Sequence, residues 1–196
     1  MVIGITGGVG SGKSTVIEII HKITNADILL TDDIAKMLME PNQISYNKVI
    51  KYFGDEILND DKTINRKMLA DIVFNNKDKL KSLNSLTHPD VINYVENYIS
   101  NNKDHIIVIE SALLFETALK DICNITWYIK ASKENRIQRL KIGRNYSDEK
   151  IKSMMKSQKP DSFYESQADI TLLNDDFDTM QRDVYRIMNL HLHYIK

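Results

Sequence analysis

The sequence predicts an α/β protein in which a parallel β-sheet carries helices on both faces, giving three layers. Two observations support this prediction. Short apolar segments with strand character alternate along the chain with longer segments whose apolar residues recur at helical spacing, a pattern typical of parallel sheets. In addition, five of the 7 glycines lie within the first twelve residues, between the first apparent strand and the first apparent helix.

The first strand is predicted over Val2–Thr6, and the segment Gly7–Ser14 follows it with the sequence GGVGSGKS. This is a complete G-x-x-x-x-G-K-[ST] motif, a P-loop, in which backbone N–H groups turn toward a phosphate at a helix N-terminus. Lys13 is expected to reach the β- and γ-phosphates and Ser14 to hold Mg²⁺. A chance match is expected about one time in a hundred, so a ligand-free turn is the weaker interpretation. The predicted ATP-binding residues here are Gly8, Gly10, Ser11, Gly12, Lys13, Ser14 and Thr15.

The second strand is predicted over Asp27–Thr31 and ends at Asp32 and Asp33, before a helix that begins near Ile34. Carboxylates at the C-terminal end of a parallel strand face the ligand crevice. Residues 32–104 then show little strand character, and their apolar residues recur at helical spacing. This region is therefore predicted to be a helical insertion.

Three more strands are predicted, over His105–Glu110, Ile125–Ile129 and Asp169–Leu173. The first of them is a continuous apolar run that ends in a carboxylate, as expected of a buried parallel strand that delivers an acid to the site. We expect Glu110 to order Mg²⁺ or its water ligands.

The remaining helices are predicted over Lys133–Ile142, from the N-cap Ser147 onward, and from about Asp176 to His193. An arginine-bearing helix followed by a short loop with Gly143 is typical of a lid that closes on a transferring phosphoryl group. The sequence thus predicts one domain with three parts: a core at 1–31, 105–135 and 168–196, the insertion at 32–104, and a lid at 136–158.

Composition excludes several classes of protein. The chain has 196 residues, 42% hydrophobic and 27% charged, which suits a single globular unit. Its purely apolar stretches are far shorter than the ~20 residues that cross a bilayer, and the N-terminus resembles no signal peptide, so we expect a cytoplasmic protein without a membrane partner. A net charge of -1 without a basic stripe argues against binding nucleic acid. The single cysteine excludes an intramolecular disulfide, and the absence of sustained heptads leaves the oligomeric state open.

Other P-loop classes lack their motifs in this chain. Switch-type GTPases need an Asp-x-x-Gly and an Asn-Lys-x-Asp, and neither occurs. Transport ATPases need a second glycine-rich motif, but only Gly54 and Gly143 lie outside the N-terminal cluster. A small-molecule kinase remains.

Further motifs extend along nearly the whole chain: Ile5 to Thr15, Asp32 to Lys36 with Glu40-Pro41, Phe53-Gly54, Asn65 to Leu69, Val73-Phe74, Leu83-Asn84 to His88-Pro89, Leu113 to Glu116, Gln158, and Ala168-Asp169 with Asn174. With these motifs the sequence resembles the dephospho-coenzyme A kinase family. The P-loop alone would name a superfamily, whereas His88-Pro89 and Leu113 to Glu116 at these spacings are close to family-specific.

The resemblance implies a P-loop kinase fold and transfer of the ATP γ-phosphoryl group to the 3′-hydroxyl of the dephospho-CoA ribose, giving coenzyme A and ADP. It implies that Asp32 accepts the proton of that hydroxyl or orients it, and that Arg139 acts with Lys13 on the phosphates. Asn174 resembles the family's adenine-side residue. The implied substrate-binding residues are Thr6, Asp32, Lys36, Arg66, His88 and Leu113.

Each role has a structural alternative. The alternative for Asp32 is a helix N-cap, and Asp33 competes for both tasks, with the alignment to the family favouring Asp32. An arginine such as Arg139 is more often on a solvated helix face. A histidine before proline, such as His88, is as well suited to anchoring a helix, and Asn174 to forming a loop.

The chain also departs from the family pattern. Leu30 stands where the family usually has an acidic residue, and Lys36 replaces a usual arginine. The carboxylate at Glu110 lies on a longer arm than the family's usual Asp, and Arg144 lies one place late in the lid. Two alternatives therefore stay open: another kinase of small nucleotides or nucleosides, and a nucleotide-binding protein without catalysis.

Overall fold

The structure is a computed structural model that describes residues 1–193, with side chains as far as His191. Its sheet has the strand order β2-β3-β1-β4-β5. Strand β1 pairs in parallel with β3 and β4, and β4 pairs in parallel with β5. The predicted α/β fold with a parallel sheet is confirmed. The strands are β1 (Val2–Gly7), β2 (Asp27–Leu30), β3 (Ile107–Glu110), β4 (Ile125–Lys130) and β5 (Ile170–Leu173).

Helices connect and surround these strands. Three short 3₁₀ turns, at Asp55–Ile57, Leu114–Glu116 and Ala118–Lys120, complete the regular structure among the described residues. The α-helices are α1 (Lys13–Thr24), α2 (Thr31–Leu38), α3 (Ile44–Phe53), α4 (Arg66–Phe74), α5 (Lys77–Asn101), α6 (Lys133–Arg144), α7 (Asp148–Lys156), α8 (Asp161–Glu165) and α9 (Phe177–His193).

Two helix boundaries differ from prediction in ways that affect the site. Helix α2 begins at Thr31, so Asp32 and Asp33 lie in its first turn rather than in a loop before it. Helix α6 continues through Gly143 to Arg144, where a loop is predicted. It ends at Asn145, whose φ of 50° lies in the left-handed region that Asn tolerates better than most residues. The asparagine, not the glycine, sets the end of the helix.

The sheet is covered on both faces. On one face, Ile3 and Ile5 of β1 belong to a buried cluster that also includes residues of α1 and α9, among them Ile20 and Val184. On the other face, Leu114 lies against Gly4, and Tyr164 of α8 stacks on Tyr128 of β4 with ring centroids 5.0 Å apart. Helices α1 and α9 therefore form one layer and the 3₁₀ turn with α8 contributes to the other.

The chain divides into two compact units. The first, the sheet unit, comprises Met1–Leu29 and Lys103–Lys196, and the second, the helical unit, comprises Leu30–Asn102. The helical unit contains α2 to α5 and has its own core, built around Val49, Phe53 and Ile57. None of the described helices has the length and apolar character needed to cross a membrane.

Candidate active site

The glycine-rich loop forms an open helix start at the end of β1. Gly12, the N-cap residue of α1, has φ 87°, and no side chain caps the helix there. A Cβ atom on Gly12 would lie 2.1 Å from Nδ2 of Asn174, so both conformation and space require glycine. The first N–H groups of α1 are therefore available to an anion, and the helix dipole favours negative charge at this position.

Several hydroxyl groups of this loop have no partner. Thr6 Oγ1 and Ser11 Oγ are buried and form no hydrogen bond among the described residues. The Ser14 hydroxyl is exposed at the start of α1. Buried polar groups are normally paired, so unpaired hydroxyls beside a phosphate loop are consistent with a site that a ligand completes.

Lys13 and Glu110 lie together. The Lys13 ammonium donates a hydrogen bond to the carbonyl of Gly7 at 3.1 Å and lies 3.3 Å from Glu110 Oε1. Both side chains are mostly buried, at 17% and 19% exposure. The carboxyl end of β3 thus places its acid against the loop lysine, as expected for adjacent parallel strands. In this structure the lysine that would reach the phosphates is held by protein oxygens.

Arg139 and Asn174 also contact the loop. Arg139 donates to the Ser11 carbonyl at 3.2 Å and to the Asn174 carbonyl at 2.8 Å. The Asn174 side-chain amide donates to the same Ser11 carbonyl at 2.8 Å. Arg139 is half-buried and bonded rather than solvated on its helix face, and Asn174 is buried in contact with the loop. The two residues, predicted separately, converge on one backbone oxygen of the P-loop.

Leu113 lies in the segment that follows β3. Its N–H donates to Oγ of the buried Ser111 at 3.2 Å, and its carbonyl accepts from the Thr117 hydroxyl at 3.1 Å. The Ser111 N–H donates to the Ile5 carbonyl at 3.1 Å. The turn at Leu113 is therefore tied to β1, the strand that leads into the glycine-rich loop.

The adjacent carboxylates of the helical unit differ in their partners. Asp33 forms an ion pair with Lys36 at 2.6 Å. Asp32 is exposed, and it has no hydrogen bond or ion pair within the described part of the chain. Neither caps α2, whose N-cap is Leu30. Asp32 is thus the carboxylate that is available to a ligand.

Arg66 and His88 lie elsewhere in the helical unit. Arg66, at the start of α4, forms an ion pair with Glu40 and donates to the Lys36 carbonyl at 3.3 Å. His88 is half-buried in α5 beside Pro89, which lies inside that helix. Burial lowers the pKa of His88 from its ordinary value. The histidine is therefore favoured in its neutral form.

Two residues at the P-loop received no role from the sequence, Arg136 and Gln158. Both side chains contact Val9 inside the loop. Gln158 occurs among the motifs that extend along the chain, and Arg136 is one of only six arginines. These signals mark the residues, but only the folded chain shows that the two side chains meet.

Comparisons with known proteins show the family to which the chain is similar and its fold. The family model for dephospho-CoA kinase matches residues 1–179. The dephospho-CoA kinase of Lactobacillus johnsonii is 39% identical over 175 residues, which cover 88% of each chain. The crystal structure of TT1252 from Thermus thermophilus has a TM-score of 0.84 at 24% identity, with 98% of this chain and 97% of that chain covered. A dephospho-CoA kinase structure from Campylobacter jejuni has a TM-score of 0.63 at 24% identity over 96% and 95% of the two chains. The structural similarities show a shared fold.

Proposed function

The chain belongs to the dephospho-CoA kinase family, which catalyses the last step of coenzyme A biosynthesis with ATP as phosphoryl donor, and we propose which of its residues perform the transfer. The observation that carries the proposal is the segment from the end of β1 to the start of α1, which combines an uncapped helix start, unpaired buried hydroxyls and the mostly buried Lys13. This combination provides donors for the phosphates of ATP. The acceptor is dephospho-CoA, through the 3′-hydroxyl of its ribose.

Lys13 and Arg139 stabilise the transferring phosphoryl group. On ATP binding, Lys13 exchanges the Gly7 carbonyl and Glu110 for phosphate oxygens. Arg139 is already fixed beside the loop by its bonds to Ser11 and Asn174, so it loses little conformational freedom when the nucleotide arrives. These two cations then stabilise the negative charge that spreads over the phosphoryl oxygens in the transition state.

Asp32 is the base. It accepts the proton of the ribose hydroxyl while that oxygen attacks the γ-phosphorus. Its lack of a protein partner supports the assignment, because the neighbouring Asp33 is already paired with Lys36. Lys36, Arg66, His88, Thr6 and Leu113 are assigned to the acceptor, with the two cations facing its phosphate groups.

The residues present also suit Mg²⁺. No group of three His, Cys, Asp or Glu that could hold a metal occurs among the described residues. Magnesium in kinases usually takes only one or two protein oxygens besides phosphates and waters, and the Ser14 hydroxyl and the Glu110 carboxylate supply two. When bound, the ion neutralises charge on the β- and γ-phosphates.

The test is a coupled assay for ADP release with Mg²⁺, ATP and a panel of acceptors: dephospho-CoA, AMP, adenosine, a uridine nucleoside and pantetheine phosphate. The Asp32→Asn variant is expected to lose about 10² to 10⁴ in kcat with dephospho-CoA, the usual contribution of a general base. The matched control is Asp33→Asn, which removes the adjacent charge, and a much smaller loss is expected.

The outcomes separate the alternatives. Turnover only with another acceptor would retain the kinase but reject dephospho-CoA as its substrate. ATP binding without turnover on any acceptor would favour a non-catalytic nucleotide-binding protein. Equal losses of kcat in the two aspartate variants would show that Asp32 is not the general base.

A further inference from the structure

Two side chains hold both backbone polar groups of Val9, inside the glycine-rich loop. Arg136 Nε of α6 donates to the Val9 carbonyl at 2.9 Å. Gln158 Oε1, two residues beyond the end of α7, accepts from the Val9 N–H at 3.2 Å. The same Gln158 oxygen accepts from Arg136 NH2 at 2.6 Å, so the three groups form one closed network.

The network joins the lid to the loop at both of the lid's ends. Arg136 lies in the first half of α6, before the turn at Asn145, and Gln158 follows α7, after it. The backbone of α6 is equally close, since a Cβ on Gly10 would lie 2.8 Å from the Arg136 carbonyl oxygen. The start and the end of the helical hairpin therefore meet on one loop residue.

Gly8 provides a second, independent observation. A Cβ on Gly8 would lie 2.4 Å from Arg136 NH2 and 2.5 Å from its Cζ. The backbone of Gly8 is outside the left-handed region, so an alanine would meet no conformational penalty there. A side chain at this position would therefore displace the Arg136 guanidinium group from where it lies.

We propose that Arg136 and Gln158 are positioning residues that clamp the Val9 backbone and thereby preset the P-loop in its phosphate-binding shape. The inference rests on the proposed binding of ATP by this loop. An arginine can donate from Nε and NH2 in a fixed fork, which lysine cannot reproduce, so the clamp depends on guanidinium geometry and not on charge alone. Without the clamp the loop must be ordered at the moment of binding, and the ordering cost appears as weaker ATP affinity.

The experiment measures MgATP affinity by calorimetry and, in parallel, KM and kcat for ATP. Arg136→Met, Arg136→Lys and Gln158→Met are each expected to raise the Kd for ATP about tenfold, the scale of one or two lost hydrogen bonds to a charged group. At saturating ATP, kcat is expected to stay within about twofold, because the clamp acts on binding before the transfer. Gln138→Met, an exposed glutamine on the same helix, is the matched control.

Gly8→Ala gives a variant that leaves both clamp residues in the sequence. Its methyl group must displace the Arg136 guanidinium, so it is expected to weaken ATP binding as Arg136→Met does. Combined in one protein, Gly8→Ala and Arg136→Met are expected to cost no more than either change alone, since both remove the same network. The same non-additivity is expected for Arg136→Met with Gln158→Met.

Three results would overturn the clamp. Wild-type affinity in Arg136→Lys would show that the arginine acts through charge alone. Strictly additive effects on ATP affinity in either double variant would show that the two residues act independently. Unchanged ATP affinity in Gln158→Met, with a normal melting temperature, would show that Gln158 does not position the loop. Because binding is measured separately from turnover, a protein that shows these effects but does not phosphorylate dephospho-CoA would retain the clamp and reject the proposed reaction.

Discussion

Two charged residues at the glycine-rich loop, Lys13 and Glu110, stabilise each other when no ligand is bound. Lys13 and Glu110 are mostly buried, and a buried charge is costly unless it is paired. Their contact satisfies each charge while the phosphate is absent. Under the proposed function, a phosphate would replace the carboxylate as the partner of Lys13, and Glu110 would then be available to hold Mg²⁺.

His88 gives a prediction on stability and pH. Burial lowers its pKa below the ordinary value of 6.5, so the unfolded chain binds this proton more readily than the folded chain. The stability that the neutral histidine contributes is complete above pH 6.5 and is lost as the pH falls from there toward the lowered folded-state pKa. We expect the free energy of unfolding to decrease less between pH 7.5 and pH 5.5 in His88→Gln than in the wild type.

Denaturant unfolding at several pH values checks this expectation. His21→Gln, a change at an exposed histidine on α1, is measured alongside as the control for the loss of one histidine. Parallel curves for His88→Gln and the wild type would show that His88 does not titrate differently in the two states.

The two neighbouring aspartates show what a sequence can and cannot settle about single residues. Motif and position select the pair Asp32 and Asp33, because both follow a strand end. Position alone does not separate the two. The family resemblance favours Asp32, and the structure adds that Asp33 is paired with Lys36 one turn later in α2. Arg136 and Gln158 are harder still to predict, because 22 residues separate them and their contact exists only after α6 and α7 have folded.

Among the secondary-structure elements, helix α6 gives the clearest prediction on stability. Gly143 lies within this helix, and a Cβ placed on it would meet no atom within 4 Å. Glycine in a helix interior costs about 0.5 to 1 kcal/mol relative to alanine. Gly143→Ala is therefore expected to raise the free energy of unfolding by about that amount and to slow local opening of α6 and α7.

Thermal or denaturant unfolding measures the global effect, and amide exchange over 136–158 measures the local one. Asn145→Val is the opposing variant, because a β-branched residue is strained at a φ of 50° and should weaken the same hairpin. A destabilising Gly143→Ala would mean that α6 does not extend to Arg144.

Element types were predictable here, and element ends less so. Strands β1, β3 and β4 are short, mostly apolar segments, and most of their residues are buried, as expected of the inner strands of a parallel sheet. The end of α6 depends on whether Gly143 or Asn145 adopts the left-handed conformation. Glycine adopts it more readily than asparagine, but in the structure it is Asn145 that does so. The short helix α8 was missed because five residues give too little periodicity to detect.

At the scale of the whole molecule, the two compact units have separate cores and carry different predicted tasks. The glycine-rich loop, Glu110 and Arg139 belong to the sheet unit, whereas Asp32, Lys36, Arg66 and His88 belong to the helical unit. The sequence could predict this division because strand character disappears after the second strand and returns before β3. The proposal that most acceptor residues belong to the helical unit rests on the family resemblance, since no feature of α3 to α5 by itself identifies a ligand.

Ligand-dependent hydrogen exchange tests the division of tasks. A bound ligand slows the opening of the segments that it contacts, so protection locates its site. We expect a non-hydrolysable ATP analogue with Mg²⁺ to protect residues 7–15 of the sheet unit, and dephospho-CoA alone to protect segments within 30–102. Arg66→Gln should reduce the second protection and leave the first unchanged, because its contacts lie within the helical unit. Protection by dephospho-CoA confined to 1–29 and 103–193 would contradict the assignment and place the acceptor on the sheet unit alone.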